Sequence, residues 1–320
     1  MENKLDLLNM LERYSHYGWS KRAICSKWRI NIQRFYLLKK KTPQNDKTLR
    51  RIQLNTITQE EKQAVKDYAL SHTQYNHREL SYRLIDENIA FMSSSSVYRI
   101  LRENNLLPTR KSGSKPENWA PHEKPCYPDQ VWQTDLMVIT FGNRDYYFLS
   151  YMDIYSRFIV FHKLCTSMTG DSIKEATQQA FKKTNKKPKV VQSDNGSCYI
   201  SQEYRSYLAK SEINHHRIHP HCPNENAEIE RYHRTVRELL DPYEAKNFSH
   251  LLELIKEQIH IYNYCRYHSA IGFITPHSKY TNKEEKIFIR RKQKLKRAKE
   301  KRIKWNIQLN ESKKFEQKAA

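Results

Sequence analysis

The chain has 320 residues, with 57 Lys and Arg against 35 Asp and Glu and a formal net charge of +22. Such an excess opposes compaction and favours a polyanionic partner, and the length suits two domains or three small ones with at least one sizeable core. No apolar run approaches the ~20 residues of a membrane span, so no membrane partner is expected. The scattered Cys25, Cys126, Cys165, Cys198, Cys222 and Cys265 form no Cys-x-x-Cys pair in a chain without a signal peptide, so free thiols and a cytoplasmic, nucleoid-associated location are expected.

Within a first unit of residues 1–50, residues 4–41 read as three short helices. Leu5, Leu7, Leu8 and Leu11 give the apolar spacing of the first, Trp19 to Trp28 form the second behind the N-cap Ser20, and Ile32 to Lys41 form a basic third. A short helix, a turn and a basic helix outline a helix-turn-helix, with Arg34 and Lys39 as candidate DNA contacts. A small three-helix bundle with a solvated basic end gives the same pattern. Residues 51–108 repeat it. Thr58-Gln59-Glu60-Glu61 is a capping box opening a helix through Leu70, His77 starts a second with Leu80, Leu84 and Ile85 on one face, and Ser93 caps a third. In that third helix Val97, Ile100 and Leu101 face inward, leaving Tyr98, Arg99 and Arg102 outside; Arg99 and Arg102 are candidate DNA contacts. Pro116, Pro121, Pro125 and Pro128 make 109–128 a linker.

The pattern then changes to strands. Val131–Thr140, Tyr146–Asp153 and Arg157–Leu164 are β-branched or aromatic runs with a turn at Gly142-Asn143. After them come a helix over 171–183, a buried strand over 189–193, a helix over 202–210, a strand over 213–218, and helices over 226–240 and 251–264. Three sequential strands followed by alternation predict an α/β fold: a mixed five-stranded sheet covered by helices on both faces. Residues 281–320 form a basic C-terminal tail; its Lys286–Lys304 stretch suits either a helix laid along phosphates or a solvated segment.

Three acids stand out. Asp135 closes the strand-like run from Val131, Asp194 ends an apolar strand at the turn Ser193-Asp194-Asn195-Gly196, and Glu230 lies in the first turns of a helix. Two strand-end aspartates and a helical glutamate can form an all-oxygen cage for a pair of Mg²⁺ or Mn²⁺ ions roughly 3.5–4 Å apart, the arrangement suited to phosphodiester cleavage. His233, Arg234 and Arg237 share the helix face of Glu230 and are further candidate DNA contacts. Spacing alone leaves Glu225 and Glu228 as competitors of Glu230, and Asp-Asn-Gly is also a good turn. His215, His216, His219, His221 and Cys222 match no closed tetrahedral zinc spacing. Asp153 is expected to stabilise its turn with Arg157, Trp132 to pack beside the acids, and Asn195 to orient Asp194 or a phosphate or simply to form the turn.

Five ordered segments strengthen the assignment: Trp132-Gln133-Thr134-Asp135, Tyr151–Arg157, Ser193–Gly196, Pro220–Glu230 and Tyr262–Ala270. Together they resemble the catalytic core of bacterial insertion-sequence transposases in the DDE, retroviral-integrase superfamily, over about 128–280. The resemblance implies an RNase H-like core at 129–280, divalent-metal dependence, DNA strand cleavage and transfer, and Asp135, Asp194 and Glu230 as catalytic and metal-holding acids. It also implies duplex DNA partners (the element's terminal repeats and target DNA) and a homo-oligomer on DNA. Ala227 stands where many members have glycine. Rival readings are a sequence-specific DNA-binding regulator with an inactive integrase-like domain, a nuclease of RNA–DNA hybrids, and a tyrosine recombinase.

Overall fold

A computed structural model describes residues 13–14, 16–27, 52–107, 125–219, 222–240 and 244–319. Two compact units divide the chain, one of residues 1–54 with 305–320 and a larger one of 55–304.

In the smaller unit α1 (Lys21–Lys27) buries Ile24. Near Ile52 the backbone is tied to Asn310: its N–H donates to Asn310 Oδ1 and its carbonyl accepts from Asn310 Nδ2, each at 2.9 Å. The remainder of the first expected helical unit, with Arg34 and Lys39, lies outside the described residues.

The larger unit begins with three helices, α2 (Gln59–Ser71), α3 (His77–Asp86) and α4 (Ser94–Glu103). Their starts follow the sequence signals. Thr58 and Glu61 complete the capping box, Asn76 accepts from Arg78 and Glu79 N–H groups, and Ser93 accepts from Ser96 N–H. Val65, Leu80, Leu84, Val97 and Leu101 form their shared core.

β1 (Val131–Phe141) and β2 (Arg144–Asp153) pair antiparallel through a two-residue loop, Gly142 and Asn143, with φ of +56° and +58°. Two positive φ values are what a type I′ hairpin demands, and Gly-Asn tolerates them. The strand β3 (Ile159–Cys165) pairs antiparallel with β2. Next come α5 (Gly170–Thr184), β4 (Val190–Ser193), a single turn Ser197–Ile200, α6 (Gln202–Lys210), and β5 (Asn214–Arg217). β4 lies parallel to β1, and β5 parallel to β4, so the sheet order is β3-β2-β1-β4-β5. This is the mixed five-stranded sheet expected from the strand pattern.

α7 (Ala227–Leu239) follows a 3-10 turn, Pro223–Asn226, and α8 (Phe248–His260) runs on into a π-helical turn, Ile261–Cys265. Alternation along the strands feeds two cores. Trp132, Tyr151 and Val191 meet Ile173, Phe181 and Tyr204 of α5 and α6 on one face. Met137, Ile139, Phe148 and Met152 meet Ile229, Val236, Leu251 and Ile255 of α7 and α8 on the other. Asp135 shares β1 parity with Met137 and so belongs to the α7 face.

α9 (Pro276–Tyr280) precedes α10 (Glu284–Ala319). The expected basic tail is this helix, and several of its cations have internal partners. Arg291, 4% exposed, donates from Nη2 to Asp86 Oδ2 at 2.6 Å and from Nε to Oδ1 at 3.0 Å. Lys294 reaches the carbonyls of Ile85 and Asp86, and Arg302 pairs with Glu61 at 2.7 Å. The tail is therefore not a uniform phosphate-binding stripe: a buried guanidinium needs a carboxylate, and Asp86 and Glu61 supply them. These contacts fasten α10 to α2 and α3 inside the 55–304 unit, across the boundary the proline-rich linker suggested. Asp86→Ala leaves Arg291 only the Gly272 and Phe273 carbonyls and strips Tyr267 OH of its 2.8 Å acceptor, and should lower unfolding stability by about 2 kcal/mol. A urea midpoint equal to that of the unaltered protein would show that this clamp contributes nothing.

Candidate active site

The ladder between β1 and β4 sets Gln133 opposite Gln192. Both side chains donate to one acceptor, the carbonyl of Glu225, at 2.7 and 2.5 Å. They therefore share the α7 face. Two residues beyond each glutamine stand Asp135, within β1, and Asp194, the first residue past the end of β4.

Gln133, fully buried, also accepts from Ile229 N–H at 3.1 Å. One side chain thus holds the 3-10 turn and the first turn of α7 against β1, and Glu230 is the next residue along. Glu225 completes the bracket, its carboxylate taking His219 N–H at 2.9 Å and His219 Nδ1 at 2.8 Å. Glu225 thus has internal partners, and so has Glu228, whose Oε1 accepts from Arg157 Nη2 at 3.0 Å.

The Asp135 carboxylate is held at both oxygens. Oδ1 accepts from Leu136 N–H at 2.9 Å, and Oδ2 lies 3.2 Å from His233 Nδ1. Asp194 Oδ1 accepts from Gly196 N–H at 2.9 Å, closing the turn, while Asn195 Nδ2 ties that turn to the Ile218 carbonyl at 2.9 Å. Burial, reinforced by the Asp135 charge, pushes the Asp194 carboxyl up from its ordinary value against the opposing Gly196 hydrogen bond. Burial also raises Glu230, followed by the charges of Asp135 and Asp194, with Arg234 and His233 opposing. The three acids therefore lie within electrostatic reach of one another. Among the described residues, however, no group of three or more His, Cys, Asp and Glu side chains is gathered as a metal site.

Residues 127–223 match the family Integrase core domain, and residues 211–276 match a second family of the same description. The likeness to an integrase core thus runs over residues 127–276. The chain's relatives include the transposase for insertion sequence element IS904 of Lactococcus lactis subsp. lactis (strain IL1403), 27% identical over 156 residues, or 48% of this chain and 62% of that protein. The insertion element IS600 uncharacterized 31 kDa protein of Shigella sonnei is 28% identical over 155 residues, or 48% of this chain and 57% of that protein. The matches thus span less than two thirds of either relative. The HTLV-2 integrase catalytic core domain in complex with magnesium superposes with a TM-score of 0.41 at 20% identity, over 48% of this chain and 97% of that one.

The remaining expected residues divide. Arg234 and Arg237 are exposed on α7, and Arg99 and Arg102 are exposed on α4. His233 differs from expectation. It is 3% exposed, set between Asp135 and Ser150 Oγ, because its position on α7 turns it toward the sheet, where the carboxylate receives it. Asp153 stabilises its turn through Ser156 N–H at 2.9 Å and Asp129 N–H at 2.8 Å, with the Arg157 guanidinium directed to Glu228. Trp132 is fully buried and donates to Asp129 Oδ1 at 3.0 Å. Of the histidine and cysteine group, His215 contacts Ser193 Oγ at 2.9 Å and His219 serves Glu225; His221 lies outside the described residues. No helix among the described residues is long and apolar enough to cross a membrane.

Sequence reasoning passed over Gln133 and the structural use of Glu225. The available signal was parity: a glutamine two residues before Asp135 on the same strand face, in a strand otherwise apolar on that side.

Proposed function

We propose that this chain is a DNA transposase that binds the ends of its own mobile element and carries out metal-dependent strand cleavage and strand transfer. Supporting this is one observation above the rest. Asp135 and Asp194 stand two residues beyond the paired Gln133 and Gln192, and Glu230 follows Ile229, whose N–H Gln133 holds.

The donor set fits hard divalent cations: three carboxylates and no sulfur, in mutual repulsion that bound positive charge relieves. Asp135, Asp194 and Glu230 would hold Mg²⁺ or Mn²⁺, as a pair of ions. Bound there, such ions lower the cost of generating the attacking oxygen and of releasing the leaving one. In the first step water oxygen bonds to phosphorus and the bond from phosphorus to the 3′ oxygen breaks, leaving a 3′-OH and a 5′-phosphate. That 3′-OH next attacks a target phosphodiester, forming one bond to phosphorus and displacing the target's own 3′ oxygen. Leu136 N–H and His233 fix the Asp135 carboxylate through both steps, and Gln133 fixes the helix carrying Glu230. Exposed Arg234 and Arg237 on the same helix face are suited to DNA phosphates beside the cut. Two element ends require two such sites, so an assembly of at least two chains on DNA is part of the proposal.

The purified protein should nick a labelled element-end duplex in Mg²⁺ or Mn²⁺ to give a free 3′-OH and, with target DNA, joined products. EDTA should stop both. Cleavage that survives EDTA, or a covalent protein–DNA adduct, would replace this reading with a tyrosine-recombinase one; binding without cleavage would favour the regulator.

A further inference from the structure

We infer a second anion site, a phosphate pocket on the side of α7 turned away from Glu230, that grips a DNA strand leaving the cut. It rests on the transposase reading for the identity of its ligand. At 100° per residue, Arg231 and Thr235 lie on a different stripe of α7 from Glu230, Arg234 and Arg237. That stripe forms one wall of a cavity of about 280 Å³ inside the 55–304 unit. Arg157 from the β2–β3 turn, Arg266 and His268 from the segment after α8, and Glu79 from α3 supply other walls.

The charge on these walls does not balance. Glu79 is satisfied by Arg83 at 3.0 Å, and Glu228 by Arg157 at 3.0 Å. Arg231 and Arg266, both exposed, have no ion-pair partner among the described residues. Two buried nitrogens on the walls are without hydrogen-bond partners: Arg157 Nη1 and His268 Nε2. An orphaned guanidinium nitrogen costs on the order of 1–3 kcal/mol or more unless something accepts from it. Burial first, with the Arg231 charge adding to it, lowers the Arg157 guanidinium to about 10, the direction expected of a cation held without enough negative charge. A phosphate oxygen answers the arginine features, accepting from Arg157 Nη1 while neutralising Arg231 and Arg266. The volume, near the ~300 Å³ lower end of small-ligand pockets, suits a phosphate with part of its sugar and not a large cofactor. Arg157 also pairs with Glu228 of α7, so a bound phosphate would brace the N-terminal half of the helix that carries Glu230.

The probe is element-end duplex DNA bound without divalent metal, with affinity measured across a salt series. Arg231→Gln with Arg266→Gln should weaken binding about tenfold and reduce the slope of log K against log salt by about 1, with the thermal midpoint retained. The single charge reversal Arg266→Glu provides the same reading should the double variant fold poorly. Unchanged affinity and slope in both overturn the site. Inorganic phosphate is the second arm. If it raises the wild-type midpoint but not that of the double variant, while DNA binding is equal in the two, the pocket takes a free phosphate and its assignment to a strand falls. Failure of the wild type to cleave in metal would sink the transposase reading alone, since binding here is read without metal.

Discussion

Asp135→Asn, Asp194→Asn and Glu230→Gln should each lower strand cleavage by about 10³-fold while leaving element-end binding within a few-fold. The size follows from the several kcal/mol that metal-held charge contributes to a phosphoryl transition state, at 1.36 kcal/mol per factor of ten. Each substitution keeps the shape and removes the charge. Asn at 194 still has an Oδ1 for Gly196 N–H, so the turn should survive. A second readout separates a ligand from a merely structural acid. Burial and neighbouring charge raise the Asp194 and Glu230 carboxyls in the folded chain, so without metal their ionised forms oppose folding. The fold loses stability as pH rises from the ordinary carboxylate range near 4 toward those raised values, and at neutral pH the loss is complete. Asp194→Asn never ionises, and its metal-free thermal midpoint at pH 7 should lie about 2–4 °C above wild type. Magnesium should raise the wild-type midpoint and leave that of Asp194→Asn nearly unchanged. Full cleavage in any one variant removes that residue from the proposed set; a lower metal-free midpoint for Asp194→Asn overturns the account of its charge.

What could be read from the sequence was whatever local chemistry dictates. Capping residues Thr58, Asn76 and Ser93 mark helix starts by supplying acceptors for backbone N–H groups that have none within the helix. Gly142-Asn143 marks a hairpin because two successive positive φ values admit few residues. Strand parity placed Asp135, and the turn chemistry of Asp-Asn-Gly placed Asp194. Long-range pairing was illegible. Nothing near Arg291 or Arg302 in sequence announces Asp86 or Glu61, hundreds of residues away, so a clamped helix reads as a basic tail. His233 misled for a related reason. Helical spacing puts it on a stripe with Glu230, but a stripe covers a wide arc, and the arc's edge nearest the sheet is buried. Glu225, Glu228 and Glu230 could not be ranked by spacing, because two of them are distinguished only by partners, His219 and Arg157, that the fold brings to them.

Gln133→Ala should reduce cleavage about 100-fold without touching a substrate atom or a carboxylate of the proposed triad. Its amide makes two bonds of opposite polarity, donating to the Glu225 carbonyl and accepting from Ile229 N–H. Glu225 retains the Gln192 bond after the substitution, so that end of the bracket weakens without opening. Ile229 N–H belongs to the first turn of α7, where no earlier turn of the helix offers a carbonyl, and in a buried setting it is left with nothing. The cost is about 1–3 kcal/mol of stability, and relief comes from α7 moving away from β1 toward water. Any such shift carries Glu230 with it, and a displacement of about 1 Å at a reacting geometry is worth about 10²-fold in rate. Gln192→Ala is the internal control. It removes only a redundant donor to the same carbonyl, should leave Ile229 bonded to Gln133, and should cost less than about tenfold in cleavage by the same reasoning. The two variants need comparison well below both thermal midpoints, with DNA affinity measured alongside. Equal rates for Gln133→Ala and Gln192→Ala would mean that α7 is held in place by its apolar contacts with the sheet and that the glutamine bracket does not position Glu230.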